Sequence, residues 1–246
     1  MPQLCPECGK AMTQAATFLG KERLTCLPCN DKRKEEAEAA AAAFAKDQQR
    51  DEERKQRRML ASSGIEPRFM ETAFDDFKPP TTKARDVLAF CRDYAANFDP
   101  STSGSILMLG GCGTGKNMLS SIIGQEIISA GYTSLHTTAM KLVRRIKESW
   151  ARDSGETEQG AINSFVTPDL LVVDEIGVQF GSATEQLFIN EVINERYGLK
   201  RPTILISNLN LKQIEEVIGV RAVDRFFEKP SRMLVFDWPS YRRKKD

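Results

Sequence analysis

The sequence predicts an α/β fold in which helices cover both faces of a mainly parallel sheet, preceded by a small metal-binding module and a long helix. Apolar runs suited to buried strands alternate with helix-like segments, a glycine-rich loop joins one such run to the next helix, and four N-terminal cysteines form two spaced pairs. We expect residues 1–30 to form the metal-binding module, 31–60 a charged helical linker and 61–246 the three-layer αβα domain.

The first element is the cysteine module. Two C-x2-C pairs are separated by 17 residues, and they comprise Cys5, Cys8, Cys26 and Cys29. This spacing is typical of a zinc ribbon, and four thiolates would fill a tetrahedral Zn²⁺ site without an open position, which indicates a structural metal. The alternative is a set of redox-active or unpaired thiols.

The second element is a helix over 31–60. This segment is built from Ala, Glu, Lys, Arg and Gln without Gly or Pro, so its helix propensity is high. It has hardly any apolar stripe, and we therefore expect it to project into solvent as a spacer or to lie on a partner. A break at 62–67 and a further helix at 81–97 follow.

In the rest of the chain, predicted strands alternate with predicted helices. We predict strands at 105–109, 133–137, 170–174, 203–207 and 233–236, and helices from 116, at 139–150 and at 184–197. Such alternation indicates parallel strands, whose carboxyl ends meet at one edge of the sheet and form the usual ligand-binding crevice.

The glycine-rich loop after the first strand of this series resembles a phosphate-binding loop. Its glycines allow successive N–H groups to converge on phosphate oxygens, and Lys116 adds a positive charge. Asn117 stands where a hydroxyl usually binds Mg²⁺, although its amide oxygen can also ligate a hard cation. A chance glycine-rich turn is the alternative. The candidate nucleotide contacts are Gly110, Gly111, Cys112, Gly113, Thr114, Gly115, Lys116, Asn117 and Met118.

An acidic pair ends the strand at 170–174. Asp174 is a candidate ligand for Mg²⁺, and Glu175 is a candidate base for the water that attacks the γ-phosphate. A solvated turn is the alternative for an isolated acidic pair.

Polar and basic residues follow the later strands. Asn208 could orient the attacking water, or it could be a helix N-cap. Arg221 and Arg225 are four residues apart and could share a helix face. They could make ordinary ion pairs with Asp224 or Glu228, or place a guanidinium on a neighbouring subunit's γ-phosphate as an arginine finger.

These segments resemble the DnaC-type replicative helicase loaders, which are AAA+ ATPases related to the initiator DnaA. The resemblance covers about three quarters of the chain and rests on Ser63-Gly64-Ile65, Gly113 to Asn117, Asp169 to Gln179, Arg221 to Arg225, and Trp238 to Arg242. It implies an ATPase that uses ATP and Mg²⁺, hydrolyses slowly without partner or DNA, binds a DnaB-type hexameric helicase and assembles as a spiral on single-stranded DNA. Asparagine after the loop lysine is common in that family.

The resemblance also suggests residue roles. Lys116, Asp174, Glu175 and Asn208 would form the catalytic centre. By analogy Arg225, in preference to Arg221, would be the arginine finger, and Arg221 and Arg242 would be auxiliary arginines. Single-stranded DNA contacts fall on Lys147, Trp150 and Ser182, with further charge from Lys141, Arg144 and Arg145, although Thr184 replaces an expected aromatic residue. A core tryptophan in an amphipathic helix is the alternative for Trp150. The zinc module departs from the best-known loaders, whose helicase-binding domain is helical.

Composition sets the remaining limits. The net charge is +1, so any DNA contact has to come from a local basic patch. No apolar run approaches the roughly 20 residues that cross a bilayer, and we expect a cytoplasmic protein. Two other functions compete with helicase loading: an IstB-like transposition helper that binds duplex DNA, and an adaptor that holds ATP with little hydrolysis.

Overall fold

The computed structural model describes residues 3–12, 14–18, 21–177 and 183–243. The chain divides into two compact units, Met1–Lys55 and Gln56–Asp246. The smaller unit carries the cysteine pairs, and the larger one carries the α/β domain.

The smaller unit contains an antiparallel hairpin and most of a long helix. Strands β1 (Gln14–Phe18) and β2 (Lys21–Thr25) pair with each other, and α1 (Leu27–Ser62) follows over 36 residues. The helix begins four residues before the predicted start at 31, so Cys29 lies in its first turn. Every side chain from 30 to 55 is exposed, as expected for a helix that lacks an apolar stripe.

The larger unit follows the predicted alternation of strands and helices. Its helices are α2 (Thr82–Ala96), α3 (Lys116–Ser129), α4 (Ala139–Glu148), α5 (Glu158–Val166), α6 (Ala183–Gly198), α7 (Leu211–Ile218) and α8 (Val220–Asp224). Its strands are β3 (Ile106–Gly110), β4 (Ser134–Thr138), β5 (Leu170–Asp174), β6 (Thr203–Ser207) and β7 (Arg232–Phe236). Helix α4 ends two residues earlier than predicted, and α5 and α7 were not predicted.

The five strands form one sheet in the order β4-β5-β6-β3-β7. All four pairings are parallel, so the sheet is wholly rather than mainly parallel. Alternate strand residues enter two separate buried clusters: Leu107 and Leu205 lie with α4 to α8, whereas Met108 and Ile204 lie with α2 and α3. The predicted three-layer αβα arrangement is therefore confirmed.

This strand order places the candidate site. Because β3 pairs with β6 and β6 pairs with β5, the carboxyl ends of these three strands are adjacent. The glycine-rich loop follows β3, the acidic pair ends β5 and Asn208 follows β6. Three distant segments therefore meet at one edge of the sheet.

A buried arginine stabilises the opposite edge. Arg196 in α6 is fully buried, and burial lowers its pKa to about 9. Its guanidinium donates hydrogen bonds to Thr203 Oγ1 and to the carbonyl oxygens of Phe165, Val166, Pro168, Asp169 and Pro202. These contacts join the segments that lead into β5 and β6, and they satisfy carbonyl groups that would otherwise be buried without partners.

Among the described helices, none combines the length and apolar character that crossing a bilayer requires.

His136 lies on the edge strand β4 and is half-buried overall, with its Nε2 atom buried against α3. A Cβ atom on Gly124 would lie 2.1 Å from its Nε2 atom, so the glycine makes room for the ring. Burial lowers the pKa of His136 to about 3. The folded protein therefore holds a neutral imidazole.

This burial predicts a pH dependence that can be measured on one residue, because His136 is the only histidine of the chain. We expect its imidazole protons not to titrate by NMR between pH 8 and 5. The unfolded chain, with a pKa of about 6.5, takes up the proton first as pH falls, so this group lowers the free energy of unfolding by up to about 1.4 kcal/mol per pH unit below about 6.5. An NMR midpoint near pH 6.5 in the folded protein would contradict the burial.

Candidate nucleotide-binding site

The loop between β3 and α3 has the backbone conformation that its glycines predict. Gly110, Gly113 and Gly115 have φ values of 143°, 74° and 97°, a region that residues with side chains rarely adopt. A Cβ atom at Gly115 would lie 2.5 Å from the Phe77 ring, and one at Gly113 would lie 2.2 Å from Ser240 Oγ. Glycine is therefore required here by both conformation and space.

Lys116 begins α3 and turns its ammonium group back across the loop. Its Nζ donates to the carbonyl oxygens of Gly110 (2.6 Å) and Gly111 (2.8 Å) and to Asn208 Oδ1 (3.0 Å). Burial lowers its pKa, and the nearby Cys112 and Asp174 oppose this shift. The lysine thus links the ends of β3 and β6 at the point where phosphate is expected.

Asn208 is not a helix N-cap. Helix α7 begins at Leu211, and its N-cap is Asn210, whose side chain accepts a hydrogen bond from the Gln213 N–H. The N-cap alternative for Asn208 is therefore wrong, and its amide faces the loop lysine.

The acidic pair lies beside the loop. Asn117 Nδ2 donates to Asp174 Oδ2, and the N–H of Glu175 donates to Asp174 Oδ1 at 2.7 Å. Burial raises the pKa of Asp174, while these two hydrogen bonds lower it. Glu175 has a φ of 60° and an exposed side chain. Such left-handed backbone is costly for a non-glycine residue and is often found at functional sites.

These groups border a cavity of about 660 Å³, which is within the range of small-ligand and cofactor pockets. Of the site residues that the sequence predicted, those that line the cavity are Cys112 to Met118, Asp174, Glu175, Asn208 and Arg242. The sequence did not indicate Glu66, Arg68, Phe69, Asp76, Phe77, Lys78, Thr138 and Tyr241, which also line it. Tyr241 lies in the Trp238 to Arg242 segment, but no motif marks the others. They reach the cavity only because the segment between α1 and α2 and the end of β4 fold against it.

Arg221 and Arg225 do not line this cavity. Helix α8 ends at Asp224, and Arg225 directly follows it. The Arg225 guanidinium contacts Asn194 Oδ1 and lies 4.5 Å from the centre of the Tyr197 ring. Its partners are thus on α6, and within the described residues the alternative of an ion pair with Asp224 or Glu228 is not observed.

The candidate DNA contacts lie near the ends of α4 and α6. Trp150 follows α4 and is 54% exposed, so the alternative of a core tryptophan is wrong. Its indole N–H contacts Glu158, and its ring centre lies 5.7 Å from that of Phe188. Lys147 pairs with Glu185 at 2.8 Å. Ser182, the third candidate, lies outside the described residues.

The four cysteines of the smaller unit form one cluster. Their Sγ atoms all lie within 4.8 Å of one another, with 3.8 Å between Cys5 and Cys29 and 3.3 Å between Cys8 and Cys26. Four thiolates about 2.3 Å from a tetrahedral Zn²⁺ ion would be roughly 3.8 Å apart, so the spacing fits this metal. Hydrogen bonds from the N–H groups of Cys8 and Glu7 lower the pKa of Cys5 to about 7, whereas the hydrogen bond with Cys8 and burial raise the pKa of Cys29. The geometry of the four sulfur atoms, rather than these opposing shifts, therefore supports the metal site.

Comparison with known proteins finds an ATP-binding protein family and, among individual relatives, helicase loaders. The family model for IstB-like ATP binding proteins matches residues 37–245. The replicative helicase loader DnaC of Buchnera aphidicola subsp. Acyrthosiphon pisum (strain APS) is 35% identical over 185 residues, which cover 75% of each chain. The loader DnaC of Escherichia coli (strain K12) is 33% identical over 180 residues, which cover 73% of each chain.

Solved structures show the same fold. The crystal structure of the DnaC helicase loader matches with a TM-score of 0.62 and 21% identity, covering 69% of this chain and 99% of that one. The replication initiator DnaA bound to AMPPCP and single-stranded DNA matches with a TM-score of 0.60 and 20% identity, covering 72% of this chain and 52% of that one.

The loop geometry predicts a clear loss of stability for one glycine substitution and almost no change for another. Gly115→Ala should lower the free energy of unfolding by about 1–3 kcal/mol and weaken nucleotide binding, because its φ is positive and its Cβ would meet Phe77. Gly111→Ala should change stability by less than about 0.5 kcal/mol, because its added Cβ meets nothing within 4 Å. Urea unfolding and titration with a fluorescent ATP analogue measure both effects. Equal stability of the two variants would contradict the loop conformation.

Proposed function

Because the chain belongs to the IstB-like ATP-binding protein family and to the DnaC-type AAA+ ATPases within it, we propose that it is an ATP-dependent loader that places a hexameric replicative helicase on single-stranded DNA. The observation that carries the proposal is the convergence of Lys116, Asp174 and Asn208 at three adjacent strand ends, beside a cavity of nucleotide size. Two relatives that are about a third identical to this chain over roughly three quarters of its length are helicase loaders, which favours loading over transposition.

The residues divide the chemistry between them. Loop N–H groups and Lys116 bind the phosphates. Asn117 and Asp174 would hold a Mg²⁺ ion, which would supply positive charge to stabilise phosphoryl transfer. Glu175 accepts a proton from the attacking water, and Asn208 orients that water. The exposed carboxylate of Glu175 is free to reach into the cavity that it borders, which supports this assignment.

An arginine from a neighbouring copy completes the site. Arg221 and Arg225 do not line the cavity of their own chain, as expected of residues that act in trans. We assign the finger to Arg225 and an auxiliary role to Arg221, within a spiral of protomers. Arg242 lines the cavity and is the second auxiliary arginine.

Single-stranded DNA is assigned to the surface that carries Trp150 and Lys147. An exposed indole offers a stacking surface worth about 1–3 kcal/mol per base. Lys141, Arg144 and Arg145 add positive charge along α4, where they border a groove with Leu135 and Phe165. Ser182 is retained as a candidate from the sequence alone.

The cysteine cluster is assigned a structural Zn²⁺ ion. A segment of about 30 residues has little apolar core, so the metal would supply much of its folding free energy. Cysteines used for metal rather than disulfides suit the reducing cytoplasm, where we place the protein. We assign helicase binding to the N-terminal unit.

Two substitutions test the ATPase assignment. Lys116→Ala should weaken ATP binding about 10- to 100-fold, because it removes charged hydrogen bonds to phosphate. Glu175→Gln should bind ATP normally but hydrolyse it about 10²- to 10⁴-fold more slowly, because it removes the base and keeps the shape. Calorimetry and phosphate release measure the two quantities.

Glu216→Gln is the matched control for the second variant, since this glutamate is exposed on α7 away from the cavity. Its hydrolysis rate should equal that of the wild type. Wild-type ATP affinity in Lys116→Ala would contradict the site, and helicase loading that persists in Glu175→Gln would favour the adaptor.

Metal removal tests the N-terminal unit and the loading function together. The purified chain should contain one zinc per molecule by elemental analysis, and Cys8→Ser should lose it. Cys91→Ala, which alters a buried cysteine outside the cluster, should retain it.

Helicase capture is then compared among these proteins. The wild type and Cys91→Ala should retain a DnaB-type hexamer on beads and load it onto protein-coated single strands with ATP. Cys8→Ser and the wild type treated with a chelator should neither retain the helicase nor load it. Failure of the zinc-loaded wild type to retain the helicase would refute the loader assignment and favour the alternative function of a transposition helper.

A further inference from the structure

The segment that follows β7 binds two main-chain carbonyl groups of the phosphate-binding loop. Trp238 is only 5% exposed, and its indole N–H donates to the carbonyl oxygen of Thr114 at 2.9 Å. The main-chain N–H of Tyr241 donates to the carbonyl oxygen of Gly113, also at 2.9 Å. Two consecutive loop carbonyls are thus bound by a segment more than a hundred residues away in the chain.

These bonds fix the direction of the loop N–H groups. In a trans peptide unit, the carbonyl and the following N–H point in opposite directions. Drawing the Gly113 carbonyl toward Tyr241 therefore turns the Thr114 N–H the other way, and drawing the Thr114 carbonyl toward Trp238 does the same for the Gly115 N–H. Both donors are aimed away from the C-terminal segment.

The other hydrogen bonds of the loop show the same division. The carbonyls of Gly110 and Gly111 accept from Lys116 Nζ, and the carbonyl of Gly115 accepts from the Leu119 N–H. Within the described part of the chain, the N–H groups of Gly113, Thr114 and Gly115 donate to no protein acceptor. The loop thus has bound carbonyls and unpaired donors, which is the requirement for an anion-binding nest.

Close packing supports the two bonds. Phe77 contacts the rings of Trp238 and Tyr241, with ring centres 6.5 Å and 5.7 Å away, and it also occupies the space beside Gly115. Ser240 Oγ occupies the space beside Gly113. The loop cannot rotate its peptide units toward this side without a clash.

We propose that Trp238, together with the main-chain N–H of Tyr241, is a positioning residue that sets the phosphate loop for nucleotide before nucleotide arrives. This rests on the proposed binding of ATP at the loop. Trp238 touches no phosphate, and it acts by keeping the Gly115 donor from turning outward. Pre-organised donors bind without the cost of ordering the loop, so loss of the indole N–H weakens nucleotide binding by the folded protein.

Trp238→Phe is the test, because phenylalanine keeps an aromatic ring in the cluster and removes only the N–H donor and part of the ring. The Kd for ATP and for ADP, measured by calorimetry with Mg²⁺ on the full chain, should rise about 3- to 10-fold, the loss expected for one neutral hydrogen bond. Both nucleotides should lose affinity equally, because the nest cradles phosphates that they share.

Tyr94→Phe is the matched control. It also removes a hydrogen bond to a main-chain carbonyl, from Tyr94 OH to Gly104 O at 2.9 Å, and it also lies in the buried cluster. The urea midpoints of the two variants should fall by similar amounts, whereas only Trp238→Phe should bind nucleotide less tightly. Wild-type affinity in Trp238→Phe, whatever its stability, would overturn the inference.

Nucleotide binding by the wild type and by Trp238→Phe separates a failure of the proposed function from a failure of this inference. No ATP binding by the wild type would overturn the proposed function and this inference with it, whereas equal binding by wild type and Trp238→Phe would overturn the inference alone. If Trp238→Phe does not fold, hydrogen exchange of the Trp238 indole N–H in the wild type decides. Protection with and without ADP supports the inference, and exchange at the rate of a free indole contradicts it.

Discussion

The buried positive charge of Lys116 is the constraint around which the larger unit is organised. Removing an ammonium group from water is costly unless its protons find acceptors, and Gly110, Gly111 and Asn208 supply them. Those acceptors lie at the ends of β3 and β6, so the parallel pairing of these strands is what makes the charge tolerable. Phosphate oxygens can replace neutral carbonyls as partners, which gives the site a direct reason to prefer a polyanion.

Most of the fold and the centre of the site could be predicted because they depend on local patterns. Short apolar runs indicated β3, β5 and β6, and glycine spacing indicated the loop between β3 and α3. Helices α5 and α7 were missed because each is only two to three turns long, although Asn210 and Gln213 form a capping box that marks the start of α7. The contacts of Arg196, Phe77 and Trp238 could not be predicted, since their partners lie far away in sequence.

The surface assigned to DNA already contains acidic partners. The Trp150 indole contacts Glu158, and the Lys147 ammonium pairs with Glu185. A DNA strand would compete with carboxylates for both groups, so the net gain from each contact is smaller than that of an unpaired residue. The energy of an exposed ion pair is only about 0–1 kcal/mol, so this competition would lower DNA affinity without blocking the surface.

The end of α1 is closely connected to the nucleotide cavity. Helix α1 ends at Ser62, and the next residue, Ser63, accepts a hydrogen bond at 2.6 Å from the N–H of His136 on the edge strand β4. Glu66 and Phe69, a few residues later, line the cavity, and Gln125 of α3 donates to the carbonyl of Phe69 at 2.8 Å. These hydrogen bonds tie the residues that follow α1 both to the edge strand β4 and to α3, the helix that begins at the loop lysine. The same short segment therefore closes the edge of the sheet and forms part of the cavity wall, so a substitution in it changes both.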